Sequence, residues 1–168
     1  MNQSDSKDRK NCIRLIEKFE YNNHLCIVYE CLEMNLRETL EKYGKNVGLS
    51  LDGVCAYGRK LFIALSHLHK NNYIHCDLKP DNILVSKDTQ SIKLCDFGSC
   101  LNVKEEVGPD MVTEYLVSRF YRAPEIILGC IPDFQIDVWS AGVTLFELFT
   151  GKIMFDGRNN GEILKQII

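Results

Sequence analysis

The chain has 168 residues, 45% of them hydrophobic, enough for one packed domain and too few for several. Its 20 Lys and Arg against 23 Asp and Glu leave a net charge of −3, which excludes a global attraction to nucleic acid or to an anionic membrane. No apolar run approaches the ~20 residues that span a bilayer, and the eight cysteines, at 12, 26, 31, 55, 76, 95, 100 and 130, form no C-x-x-C pair, as expected of reduced thiols in an intracellular protein rather than of a disulfide or zinc framework.

Residues 1–10 are polar and charged without apolar periodicity and read as a mobile N-terminal segment. Two short runs, 12–19 and 24–29, are rich in Ile, Leu, Val and aromatics and are separated by Glu20-Tyr21-Asn22-Asn23, which is hairpin chemistry. A lone hairpin is marginal in water. The pair is therefore expected to belong to a larger sheet whose other strands this chain lacks. After a connector at 30–34, Asn35 can cap a helix expected to run to about Tyr43 and stop at Gly44. Ser50 can cap a second helix reaching about Lys70, in which Val54, Leu61, Leu65 and Leu68 recur at helical spacing.

The stretch His75-Cys76-Asp77-Leu78-Lys79-Pro80-Asp81-Asn82 follows. Behind it, Ile83-Leu84-Val85 and Ile92-Lys93-Leu94 flank a polar turn at 86–91, a second small hairpin that brings Asn82 near Asp96 of Asp96-Phe97-Gly98. Residues 99–118 have no clear period and read as a loop longer than structural loops usually are, hence functional. The strongly apolar stretch 137–150 ends at Gly151 and reads as a largely buried helix with a glycine cap. Residues 162–168 begin another helix.

A carboxylate, an ammonium and a carboxamide in one short loop, with a second carboxylate beyond a hairpin, form the set that phosphoryl transfer from a nucleotide requires. That reaction passes through a loose transition state, so the protein supplies positioning and charge neutralisation rather than covalent chemistry. In the general template of that reaction Asp77 accepts or orients the proton of the attacking hydroxyl, and Lys79 reaches the γ-phosphate. Asn82 and Asp96 hold Mg²⁺ on the triphosphate of ATP. Phe97 is expected to pack beside His75. The plain alternative is a polar turn with an Asp77–Lys79 ion pair beside an unrelated Asp-Phe-Gly. Both motifs in order across a hairpin argue against it.

These motifs resemble those of the eukaryotic protein kinases, and the resemblance continues through Ala123-Pro124-Glu125 and Asp137-Val138-Trp139-Ser140-Ala141-Gly142. The lysine of H-C-D-L-K-P-D-N is the serine/threonine form, and Ser118 stands where such kinases keep a hydroxyl that bonds Asp77 and Lys79. The tract Ser118-Arg119-Phe120-Tyr121-Arg122-Ala123-Pro124-Glu125 is similar to the CMGC group, where the dual-specificity tyrosine-regulated and the spliceosome-associated pre-mRNA-processing families share it; neighbouring phrases such as Met34-Asn35-Leu36-Arg37-Glu38 look closest to the latter.

The resemblance implies an α+β, protein-kinase-like fold: a small-lobe hairpin at 11–29, a hinge at 30–34 and a mainly helical large lobe at 35–168. It makes Tyr29 the gatekeeper, Glu30, Cys31 and Leu32 the hinge that meets adenine, Leu84 the adenine floor and Cys95 a neighbour of the phosphates. It implies a protein substrate, spliceosomal partners and a nuclear location; the net charge and the lack of a long apolar run speak against direct binding of nucleic acid or membrane.

Two departures stand out. Cys76 replaces the usual arginine, so gating through that arginine is unavailable; phosphorylation of Tyr115, paired with Arg119 and Arg122, is the expected substitute. No glycine-rich loop or V-A-I-K-like strand precedes the hinge, and both ends look cut, so this chain alone is expected to be nearly inactive. The competing expectation is a naturally short kinase-like scaffold that acts by binding proteins.

Overall fold

The structure is a computed structural model and describes residues 5, 7–105 and 116–168. Strands β1 (Leu15–Tyr21) and β2 (His24–Tyr29) form an antiparallel hairpin in which Tyr21 faces His24. Its tight turn is Asn22-Asn23, both at positive φ (49° and 60°), a conformation that asparagine tolerates and that matches the twist of the strands. The turn is thus two residues long, and Glu20 and Tyr21, expected in it, extend the strand. Both faces of the hairpin are largely exposed.

Strand β3 (Met34–Asn35) leads into α1 (Leu36–Thr39), which opens with a reciprocal cap: Asn35 accepts from the Glu38 amide, and Glu38 accepts from the Asn35 amide. The helix continues as a wider π-turn over Leu40–Gly44. Gly44 is not the left-handed stop that the sequence suggested. That conformation falls on Lys45 and Asn46 (φ 42° and 64°), while Gly44 is buried and a Cβ there would meet Leu40 Cδ1 at 2.7 Å.

Helix α2 (Leu51–Lys70) starts under the Ser50 hydroxyl, which accepts from Gly53 N. Its apolar stripe of Val54, Leu61, Ala64, Leu65 and Leu68 is buried. Strand β4 (Tyr73–Ile74) follows, then β5 (Ile83–Val85) and β6 (Ile92–Leu94), which pair as expected. Two pairings were not expected. Strand β3 adds to β5, giving the order β3-β5-β6. Strand β7 (Leu101–Asn102) pairs with β4 inside the stretch read as loop. Pairs only two residues long carry no alternation to detect.

The short α3 (Pro124–Ile127) precedes α4 (Gln135–Thr150), which ends at Gly151 (φ 70°) as predicted, its amide donating to Glu147 O. Gly151 packs on the backbone of Asn46 and Gly48. Helix α5 (Asn160–Ile167) is capped by Asn159. Helix α4 is the axis of the core. Ala141 and Leu148 join a cluster with α1, α2, β5 and β6, whereas Ile136 and Val143 join a second with β4, β7, residues 116–126 and α5. The expectation of a largely buried helix needs one correction: Val138, Phe146 and Phe149 are exposed. With Trp139, Val143 and Met154, Val138 and Phe146 line an apolar groove of about 630 Å³. Among the described residues no helix is long and apolar enough to cross a membrane.

Candidate functional site

The loop between β4 and β5 takes its shape from α4. Asp137, 1% exposed, receives the His75 amide on Oδ2 (2.8 Å) and the Cys76 amide on Oδ1 (3.1 Å), and His69 Nε2 reaches Oδ2 at 2.8 Å. Two consecutive amides on one carboxylate hold Cys76 at φ 65°, a left-handed conformation that a non-glycine residue adopts only when its surroundings impose it. The His75 ring is fully buried. Its Nε2 bonds Cys95 O (2.9 Å) while Nδ1 accepts from the Asp77 amide (3.2 Å), and the two bonds together fix which nitrogen carries the hydrogen. Phe97 lies edge-on to His75 with centroids 5.7 Å apart, the packing expected from the sequence.

On this base the polar side chains converge. Lys79 Nζ donates to Asp77 Oδ2 (2.8 Å) and to Ser118 Oγ (3.0 Å), and Ser118 Oγ donates to Asp77 Oδ1 (2.6 Å). Asn82 Nδ2 donates to Asp77 O (2.8 Å) and Oδ2 (3.1 Å). Burial alone would raise the Asp77 carboxyl, but the bonds from Lys79, Ser118 and Asn82 and the Lys79 charge outweigh it and hold the group below its ordinary value. A cavity of about 460 Å³ opens beside Asp77 and Ser118, lined also by Cys76, Leu116, Arg119 and Arg122.

Asn82 and Asp96 are linked through the β5–β6 hairpin and the bond from Cys95 N to Asn82 O (3.0 Å). Asn82 turns its amide nitrogen inward, leaving Oδ1 as an oxygen donor. Asp96 (φ 58°) is exposed and accepts from Gly98 N at 3.4 Å. Among the described residues no three His, Cys, Asp or Glu side chains cluster for a metal. A carboxylate plus a carboxamide oxygen suits Mg²⁺, which keeps several waters and takes few protein ligands.

The other candidate residues come from the end of β2, the connector after it, β5 and the residue that follows β6. Tyr29 is exposed at the end of β2, opposite Leu15. Cys31 is exposed and Leu32 half-buried. The Glu30 carboxylate is engaged by Arg14 N (2.7 Å) and Lys93 Nζ (2.6 Å), while the Glu30 amide donates to Arg14 O (3.0 Å). Leu84 faces Asn35 and Lys93 across the sheet, half-buried between the fully buried Ile83 and Val85. Cys95 donates to Asn82 O (3.3 Å), and burial pushes its thiol up to about 11.

Tyr115 lies outside the described residues. Arg122, expected to meet its phosphate, is 5% exposed and donates to the carbonyls of Leu116 and Val117 and to Asn160 Oδ1; Arg119 donates to Arg158 O. Val117, whose carbonyl Arg122 holds, sits at φ 70° beside Ser118.

Sequence reasoning missed a second polar cluster. Arg37 Nε lies 3.1 Å from both Asp81 oxygens, Nη1 donates to Glu147 Oε1 (2.7 Å) and Nη2 to Tyr121 OH (2.6 Å), and Tyr121 OH donates to Glu147 Oε2 (2.6 Å). The cluster ties α1, the β4–β5 loop, residues 119–121 and α4 together. Burial and the Glu147 carboxylate raise the Tyr121 phenol. The available signal was Glu147 itself, one of two acids in an apolar helix, which when buried demands a partner.

Across residues 2–168 the sequence matches the protein kinase domain. It is 47% identical over 162 residues to a Dictyostelium discoideum serine/threonine-protein kinase, prpf4B, covering 96% of this chain and 20% of that protein. It is 46% identical to the Schizosaccharomyces pombe serine/threonine-protein kinase prp4, covering 98% of this chain and 34% of that protein. It is 40% identical to the mouse dual specificity tyrosine-phosphorylation-regulated kinase 3, with coverages of 100% and 28%. The chain thus spans between a fifth and about a third of the length of these relatives. With the anchored loop, the Asp77–Lys79–Ser118 triad and Asp96 just beyond β6 in place, this match shows that the chain belongs to the protein kinase domain family, in the CMGC group of its prp4 and dual-specificity relatives.

Proposed function

We propose that this chain carries the hinge and the phosphoryl-transfer residues of an ATP-dependent serine/threonine protein kinase that acts on proteins in pre-mRNA splicing, in the nucleus. The observation that carries the reading is the Asp77 carboxylate, held at once by Lys79, Ser118 and Asn82. A carboxyl kept below its ordinary value is ionised at neutral pH, so it can accept or orient the proton of a substrate hydroxyl. Lys79, bridging Asp77 and Ser118, holds a positive charge beside the oxygen that reacts. Asn82 Oδ1 and the Asp96 carboxylate are the oxygen donors for Mg²⁺. The backbone of Glu30, Cys31 and Leu32 would meet adenine, with Tyr29 behind it, Leu84 beneath and Cys95 toward the phosphates. Bound Mg·ATP would supply the transferable phosphoryl group and the divalent charge that neutralises it.

The names of the prp4 relatives support the splicing assignment. Co-purification of tagged protein with spliceosomal proteins from nuclear extract would support it, and recovery of none would sink it. The catalytic reading is tested by calorimetry of Mg·ATP binding with Asp96→Asn alongside, and by phosphate transfer to a serine peptide with Asp77→Asn. Expected are weaker binding by about tenfold or more in the first variant and a loss of about 10²-fold or more in any transfer in the second. A folded protein whose binding ignores Asp96→Asn would refute the metal assignment.

A further inference from the structure

Lys93 is the middle residue of β6, three before Asp96, and its ammonium is spent on two other segments. Nζ lies 2.6 Å from Glu30 Oε1, at the first hinge position, and 2.7 and 2.8 Å from the two oxygens of Asp8. The side chains are only partly accessible, 13% for Lys93, 26% for Glu30 and 38% for Asp8, so solvent screens the pairs less than on an open surface. Glu30 Oε1 also accepts the Arg14 amide. One carboxylate is thereby shared between Arg14, just before β1, and β6, the strand that leads to Asp96. The backbone adds parallel ties: Leu94 N donates to Asn11 O, Ile13 N to Leu94 O and Glu33 N to Val85 O. The two carboxylates meet at a single nitrogen, so removing that charge leaves them facing each other with nothing between them. Both partners raise the Lys93 ammonium above its ordinary value against the effect of burial.

We infer that Lys93 is a positioning residue of the nucleotide site: through Glu30 and Asp8 it clamps the hinge to the β6 strand, and so sets the register of the hinge backbone relative to Leu84 and Asp96. It touches neither adenine nor metal. The inference rests on the proposed kinase reading for its purpose, but its geometry is testable without nucleotide.

The test is hydrogen–deuterium exchange of the chain, read on a peptide covering 26–36 and on one within α4, with no ATP present. Lys93→Met is expected to speed exchange of the hinge peptide about tenfold while α4 stays protected, Lys93→Arg to restore it, and Asp8→Asn to give a smaller increase in the same peptide. Unchanged hinge exchange in folded Lys93→Met overturns the clamp; should that variant fail to fold, unchanged exchange in Asp8→Asn does so. Equal acceleration in α4 also overturns it, because the lysine would then serve general stability. Failure of Mg·ATP to bind would refute the nucleotide reading and leave this result standing.

Discussion

His75, Cys76 and Leu78 of the β4–β5 loop are 0–1% exposed, whereas Ile16, Phe19, Leu25 and Ile27 of the β1–β2 hairpin are 45–69% exposed. The loop has no strand and only the 3₁₀ turn Pro80–Asn82, and is nonetheless fixed, because Asp137 and His75 satisfy its backbone from beneath. The hairpin is regular and is held chiefly by its own ladder and by the ties around Glu30 and Lys93. Regularity and rigidity therefore come from different sources here. In the loop, buried polar bonds with distant partners set the geometry; in the hairpin, local strand pairing does.

The sharpest way to break this contrast is Asp137→Ala. It strands two buried amides and the His69 bond, and should cost about 3 kcal/mol or more in urea denaturation. A loss below about 1 kcal/mol would mean that the loop holds its shape without α4. Next in size is a matched pair of truncations. Leu78→Ala, at 0% exposure, should cost about 2–5 kcal/mol, while Leu25→Ala, at 69%, should stay within about 0.5 kcal/mol. Equal costs would erase the distinction.

The smallest effect is electrostatic. A carboxyl held below its ordinary 3.8 contributes stability that is fully present above that pH and is lost as pH falls through the lowered native value. The stability gap between the wild type and Asp77→Asn should accordingly be constant near neutrality and close in strong acid. A gap that widens on acidification would show that Lys79 and Ser118 do not stabilise the charged form.

Much of this was legible in the sequence because it is local. Ser50 and Gly151 mark helix ends through single-residue chemistry, the stripe of α2 repeats within a turn, and Asp77, Lys79 and Asn82 are neighbours in the chain. The Ser118 contact was legible only through resemblance, since 41 residues separate it from Asp77. What stayed hidden is what has no period. The β3–β5 and β4–β7 pairs are too short to alternate, and Arg37 meets Glu147 across 110 residues. The exposed face of α4 was misjudged for a different reason: a uniformly apolar helix does not say which side is covered. Lys93 was legible only as part of the Ile92-Lys93-Leu94 run, and its pairing with Glu30 spans 63 residues.

The distance in sequence between the loop and its anchor has a consequence for synthesis. Cys76 and Asp137 are 61 residues apart, so at the usual pace of 5–20 residues per second the ribosome needs roughly 3–12 s after making the loop before it makes the carboxylate that bends it. During that interval Asp77, Lys79 and Asn82 are present as a peptide without its imposed curvature, and the left-handed turn at Cys76 has nothing to impose it. The curvature of the loop can therefore be set only once α4 has emerged.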